Sequence, residues 1–373
     1  MLSDQGVRLL EPFRESDPLD CLRPGLTERG ARGIVRAMTN EKRDDAGRLS
    51  RREFMLRAGA AAATIGSLGP TASRAFAATT ARRDEPVIAV FSKHLQWMPV
   101  ADIGPVIAES GFRAVDLTVR PDGHVLPERV EADLPRAVEA LHRSGLTVPM
   151  MTTAITDAND PLTRRVLTTA KKVGITHYRM GYWAFPAIGD PLEELRMMKP
   201  RVAAIAALDR EIGIRGGYQN HVGTRVGGSV WDLGVLLEGV TPDGLGVQYD
   251  IRHAVAEGGG SWPVALRMIA PHIDTIALKD MIWAQRANGK WEPRSVPLGE
   301  GMVDFPAYLR QLLSYGALPP ATMHFEYPPL EMSGGGSAER RKQTIDGMRR
   351  DLTRFQQLLA AARSPATSTR TKP

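Results

Sequence analysis

The 373-residue chain is 43% hydrophobic and 24% charged, the balance of an ordinary globular protein long enough for one large domain plus a tail. Its net charge of +6 gives no support to a polyanion partner, because residues 1–77 hold 13 Lys and Arg against 10 Asp and Glu and so carry +3, which leaves only +3 on the rest. One cysteine, Cys21, excludes an intrachain disulfide.

Ser50-Arg51-Arg52-Glu53-Phe54-Met55 resembles the twin-arginine export motif. An Ala- and Gly-rich apolar run from Ala58 to Leu68 follows, and Ala75-Phe76-Ala77 offers a cleavage site before Ala78. The run is too short for a stable membrane anchor. The chain therefore divides into residues 1–37, a mis-assigned start or disordered extension before Met38, a signal segment 38–77, a linker 78–85, a folded domain 86–362 and a disordered tail 363–373. The implied partner is the twin-arginine translocase, and the implied destination is the periplasm or beyond.

From Pro86 the chain repeats a short β-branched apolar run, a polar loop, an amphipathic stretch and a glycine. Strands are predicted at Val87 to Phe91, Ala114 to Leu117, Thr147 to Met151, His177 to Met180, Gly216 to Gln219, Gly246 to Tyr249, Thr275 to Leu278 and Thr322 to Phe325. Helices between them are expected to end at Gly111, Gly145, Gly174, Gly213 and Gly316, and two to start at Asp160-Pro161 and Asp190-Pro191. Pro200 is expected to break the fourth helical region. Asn288-Gly289 between Trp283 and Trp291 signals a β-ribbon after the seventh strand. Eight βα units of this length predict a closed (β/α)8 TIM barrel, with its site at the C-terminal ends of the strands. An open doubly wound sheet is the alternative, but no G-x-G-x-x-G follows the first strand.

The residues just past those strands are polar at nearly every position: His94, Asp116, Thr153, Arg179, Gln219-Asn220-His221, Asp250 with His253, Lys279-Asp280 and Glu326. Trp97, Trp183, Trp262, Trp283 and Trp291 fall in the same loops, where flat rings suit the C–H face of a sugar, packing between loops or a homo-oligomer interface. His94, Asp116, Arg179, Trp97, Trp183 and Trp283 are the candidate substrate-binding residues.

Asp250-Ile251-Arg252-His253, Lys279-Asp280, Pro297-Leu298-Gly299-Glu300-Gly301 with Asp304-Phe305, and Phe325-Glu326-Tyr327-Pro328 stand in the order that resembles the xylose isomerase-like sugar phosphate isomerases and epimerases. The resemblance implies one divalent ion (Mn, Mg, Co or Zn) held after strands five to eight, at positions that fall here on Gln219, Asp250, Ala277 and Glu326. Two of these match the family's ligand types and two do not. His221 or His253 would have to substitute, so Asp250, Glu326, His221 and Gln219 form the candidate metal set.

The family's paired glutamate bases are broken by Gln219. That leaves Lys279 either as candidate base, with a pKa lowered by burial, beside Glu326 and His253, or as a lysine paired with Asp250 or Asp280. The implied function is proton abstraction beside a carbonyl of a sugar or keto-sugar, as isomerase, epimerase or, given the missing glutamate, lyase or dehydratase. The alternatives are a non-catalytic carbohydrate-binding barrel and a nuclease. The latter's three-metal site needs more histidines and a more basic groove than this chain offers.

Replacing Arg51 and Arg52 together by Lys is expected to leave uncleaved precursor in the cytoplasm, read by immunoblotting of cell fractions. Amino-terminal sequencing of the exported protein should begin near Ala78.

Overall fold

A computed structural model describes residues 86–241, 243–328, 330 and 338–364. Cys21, the arginine pair, the cleavage site and the last nine residues lie outside them.

The elements follow the predicted rhythm. They are β1 (Ile88–Phe91), α1 (Val100–Glu109), β2 (Ala114–Thr118), α2 (Val130–Arg143), β3 (Thr147–Thr152), α3 (Pro161–Lys172), β4 (His177–Arg179) and α4 (Pro191–Ile212). Then come β5 (Arg215–Gln219), α5 (Val230–Leu236), β6 (Leu245–Asp250), α6 (Ile251–Gly258), α7 (Trp262–Ile269) and β7 (Ile273–Leu278). Last are β8 (Asp280–Gln285), β9 (Trp291–Val296), α8 (Phe305–Tyr315), β10 (Ala321–Met323) and α9 (Ala338–Arg363).

Strands β1, β10, β7, β6, β5, β4, β3 and β2 close into a parallel barrel in that order. The two remaining strands, β8 and β9, form the antiparallel ribbon, with Asp280 opposite Val296 and Gln285 opposite Trp291.

Alternation along each strand separates two environments. Val90, Val115, Leu117, Met151, Tyr178, Tyr218, Val247, Tyr249, Ile276 and Leu278 belong to one apolar cluster shared with the helices. Ala89, Ala114 and Met150 make a separate small cluster. Past it, the same parity carries Asp116, Thr152, Arg179, Gln219, Asp250, Lys279, His324 and Glu326 into the lumen. The barrel interior thus mixes small apolar residues with buried Gln248, Thr275 and Thr322 in its lower layers and becomes charged toward its mouth.

Helix starts and stops obey local chemistry. Asp160 Oδ1 accepts from the Leu162 N–H at 2.8 Å and Asp190 Oδ1 from Leu192 at 2.9 Å, each followed by proline at the first helical position. The expected break at Pro200 does not occur: α4 runs through it without interruption. Proline removes one backbone hydrogen bond there, but burial of Leu195, Val202, Ile205 and Leu208 along the same helix holds both halves in line.

Gly174 follows the end of α3 with φ +87°, and a β-carbon there would touch nothing within 4 Å. A Gly174→Val change therefore meets only backbone resistance, and is expected to cost about 1 kcal/mol or more in urea denaturation. A variant as stable as the parent would contradict the left-handed conformation.

Candidate active site

Each inward side chain near the mouth comes from a different strand, and neighbouring strands bring them into contact. Arg179 Nη1 donates to Gln219 Oε1 at 2.8 Å, and Gln219 Nε2 donates to Asp250 Oδ2 at 2.7 Å. Lys279 Nζ lies 3.0 Å from Asp250 Oδ2 and 3.1 Å from Glu326 Oε2. Lys93 Nζ, just past β1, reaches Glu326 Oε1 at 2.9 Å. These contacts form one polar belt across β4, β5, β6, β7, β10 and β1, which are consecutive in the barrel.

Local chemistry fixes the belt's members. Asp250 ends β6 and caps α6, its Oδ1 accepting from the His253 N–H at 3.2 Å. Asn220 clasps the Asp250 backbone, its Oδ1 accepting from Asp250 N–H at 2.7 Å and its Nδ2 donating to Asp250 O at 2.9 Å. Gln219 is oriented from both sides, because Arg179 and the Tyr182 hydroxyl both donate to its carbonyl oxygen and its amide nitrogen is left to face Asp250.

Lys279 carries three N–H groups and has three partners, the third being His253 Nε2 at 2.9 Å. Burial pulls its pKa down, but Asp250 and Glu326 outweigh that and hold it above the ordinary lysine value. Of the two readings of Lys279, the base with a lowered pKa is corrected and the pairing with Asp250 is the one found: Lys279 stands as an ammonium between two carboxylates. Burial would raise the Glu326 carboxyl, yet Lys279, His324 and Lys93 hold it well below the usual range. His253 is pushed well below the usual imidazole value by burial, then by Lys279, His221 and Arg252, so it stands neutral.

Asp116 is fully buried, with Oδ1 accepting from Thr152 Oγ1 at 3.0 Å and Thr322 beside its carboxyl. Burial pushes its pKa up to about 6, partly countered by Arg179. His324, absent from the predicted set, stacks on Phe91 with ring centroids 4.2 Å apart. Neither of its ring nitrogens has a hydrogen-bond partner among the described residues. Its position two residues before Glu326, just past β10, was the available signal, whereas Lys93 lies in the helical turn Ser92–Leu95, where strand alternation gives none. Tyr182 had none.

Several predicted residues lie elsewhere. His94 turns outward, with Nδ1 at 3.0 Å from the Phe91 carbonyl, Nε2 against Met348 Sδ of α9 and its ring 4.8 Å from Phe325, as a satisfied core histidine. Trp183 is buried in the core, its Nε1 donating to Thr156 O at 3.1 Å and its ring beside Tyr218, so it offers no face to a sugar. Trp262 is a buried residue at the start of α7 rather than a loop residue. The Arg340 guanidinium of α9 lies 4.4 Å over Trp97, and Trp283 is exposed on the ribbon. His221 stacks on His253 at 3.9 Å and reaches the belt through it.

Asp280 faces away from Lys279, and its carboxylate accepts four backbone N–H bonds, from Met281, Gly299, Gly301 and Val303. It folds the Leu298-Gly299-Glu300-Gly301 loop around itself. A β-carbon on Gly301 would come within 2.1 Å of Asp280 Oδ1, so only glycine fits.

The donor set does not fit a divalent ion. Gln219 turns its carbonyl oxygen to Arg179 and Tyr182 and offers Asp250 an N–H. Ala277 has no donor atom, and the space between Asp250 and Glu326 holds the Lys279 ammonium. Among the described residues no three His, Cys, Asp or Glu side chains group as metal ligands.

Residues 105–358 match the family described as xylose isomerase-like TIM barrel. The chain belongs to that family. Among solved structures it is similar to the IOLI protein with a binding zinc atom, at TM-score 0.58 and 12% identity over 74% of this chain and 99% of that one. It is also similar to L-ribulose 3-epimerase, at 0.56 and 13% over 78% and 100%. A third is a xylose isomerase-like TIM barrel protein from Mycobacterium smegmatis in complex with magnesium, at 0.51 and 17% over 72% and 98%. At these identities the likeness establishes the fold. No curated relative matches the sequence.

Because Asp116 has a folded pKa near 6 against an ordinary 3.8, its contribution to stability is fullest below pH 4 and is lost as pH rises toward 6. Asp116→Asn, which removes the charge, is expected to be more stable than the parent at pH 8, by about 3 kcal/mol in urea denaturation, with the gap closing near pH 4. A gap that does not change with pH would contradict this.

Proposed function

We propose that this chain is an enzyme that moves a proton on the carbon beside a carbonyl of a sugar or oxidised sugar. Re-protonation gives an isomer or epimer, and loss of a neighbouring leaving group gives the product of a lyase or dehydratase. The observation that carries the proposal is the Lys93–Glu326 pair. Within the belt it is the accessible part, with side chains 37% and 23% exposed, whereas Lys279 is 3% and Asp250 0% exposed.

In this reading the Glu326 carboxylate receives the proton. It is ionised throughout the neutral range because Lys279 and Lys93 hold it so. As the proton leaves, negative charge develops on the carbonyl oxygen, and the Lys93 ammonium is the cation able to meet it. Transfer of the proton to Glu326 removes the charge that Lys93 pairs with there, at the moment the oxygen becomes negative. Neutral His324 offers one ring donor and one acceptor to a hydroxylated substrate, and Arg179 lies 5.4 Å over Phe91 on the same side of the lumen. The fold similarity to L-ribulose 3-epimerase supports a keto-sugar as the first class to try.

We also propose that the enzyme works outside the cytoplasm after twin-arginine export, as the Arg51-Arg52 segment suggests.

Incubation in deuterium oxide with ketoses, 3-keto-glycosides and oxidised sugars is expected to place solvent deuterium beside the carbonyl of at least one of them, read by proton NMR. Glu326→Gln should slow that exchange by about 100-fold or more without changing the far-ultraviolet circular dichroism. Absence of both exchange and product across the panel would defeat the proposal.

A further inference from the structure

The residues that depart from the family's ligand pattern are the ones that make room for Lys279. Gln219 replaces the expected glutamate, and its amide nitrogen donates to Asp250 at 2.7 Å, a bond that no ionised glutamate could supply. Ala277, two residues before Lys279 on the same inward face, carries only a methyl group where the pattern has histidine. Lys279 Nζ then lies 3.0 Å from Asp250, 3.1 Å from Glu326 and 2.9 Å from His253.

Around the two carboxylates Asp250 and Glu326, Lys279 and Lys93 bring the two positive charges that one divalent ion would supply, and Arg179 adds a third through Gln219. A glutamate at position 219 would keep the Arg179 contact but turn a second carboxylate oxygen toward Asp250 Oδ2, where the amide nitrogen now donates.

We propose that Lys279 is the resident cation of this site and that the protein works without a divalent ion. The ammonium neutralises and orients the two carboxylates as an ion would. It differs in one respect: its three hydrogens all face protein atoms, so it has no open position for a substrate oxygen, and that task passes to Lys93. The inference deepens the function proposed above and shares its site, but its test reads metal binding alone. A protein that excludes metal yet transforms no sugar would defeat that function and leave this inference standing.

The full chain as purified, treated with chelator and dialysed, is titrated with Mn2+ followed by electron paramagnetic resonance, and with Zn2+ followed by calorimetry. The wild-type protein is expected to show no site tighter than about 1 mM. One equivalent bound at micromolar affinity overturns the proposal. The triple variant Gln219→Glu, Ala277→His and Lys279→Ala, checked for folding by circular dichroism, restores the ligand pattern and should bind one Mn2+ at least about 100-fold more tightly than the parent. A folded triple variant no tighter than wild type also overturns it. If the triple variant fails to fold, the wild-type titration decides between the two outcomes.

Discussion

A charged lysine sealed inside a barrel is costly unless every hydrogen finds an acceptor and every neighbouring charge finds its opposite. Lys279 has both carboxylates and His253 within 3.1 Å, and much of the mouth is arranged around it. Asp250 is held by Asn220 and by the start of α6, Gln219 is turned by Arg179 and Tyr182, and Glu326 is shared with Lys93. Removing any one of these partners strands a buried charge or a buried amide, so the belt behaves as a unit whose members cannot be weighed separately.

The backbone plan was legible because it is written in local chemistry. Glycines past the helix ends, aspartate–proline helix starts and short β-branched runs each carry their own physical reason, and all eight barrel strands fall within two residues of where those signals put them. Pro200 misled because helix continuity there is decided by packing along the whole length of α4, which no local signal records. The site was half legible. Asp250, Lys279, Glu326, Gln219, His253 and Arg179 do meet at the mouth. His94 and Trp183 do not, since standing after a strand says nothing about which way a side chain turns, and both turn toward the helices. His324 was overlooked for the same reason in reverse, because strand parity points it inward beside Glu326.

The adjacent pair Lys279 and Asp280 shows how one short motif serves two ends. Successive residues of an extended chain point to opposite sides. The lysine enters the lumen, and the aspartate gathers four backbone N–H groups and shapes the glycine loop behind the ribbon. The charge of the first is spent on the site and that of the second on the scaffold. A sequence pattern that pairs them conveys neither role until the direction of each is known.

The belt also bears on how the barrel holds shut. Its side-chain bonds cross the seams β4–β5, β5–β6, β6–β7, β7–β10 and β10–β1, while Ser92 with Thr118 stitches β1 to β2 and Thr152 with Asp116 stitches β2 to β3. Among the described residues the seam between β3 and β4 has no bond between two side chains; besides the backbone ladder two hydroxyls cross it, Thr153 donating to the Arg179 carbonyl and Thr176 to the Pro149 carbonyl. Closure of this barrel is thus shared unevenly: seven joints are tied side chain to side chain, while the eighth, beside Arg179, is carried by backbone carbonyls, so it depends least on which side chains stand there.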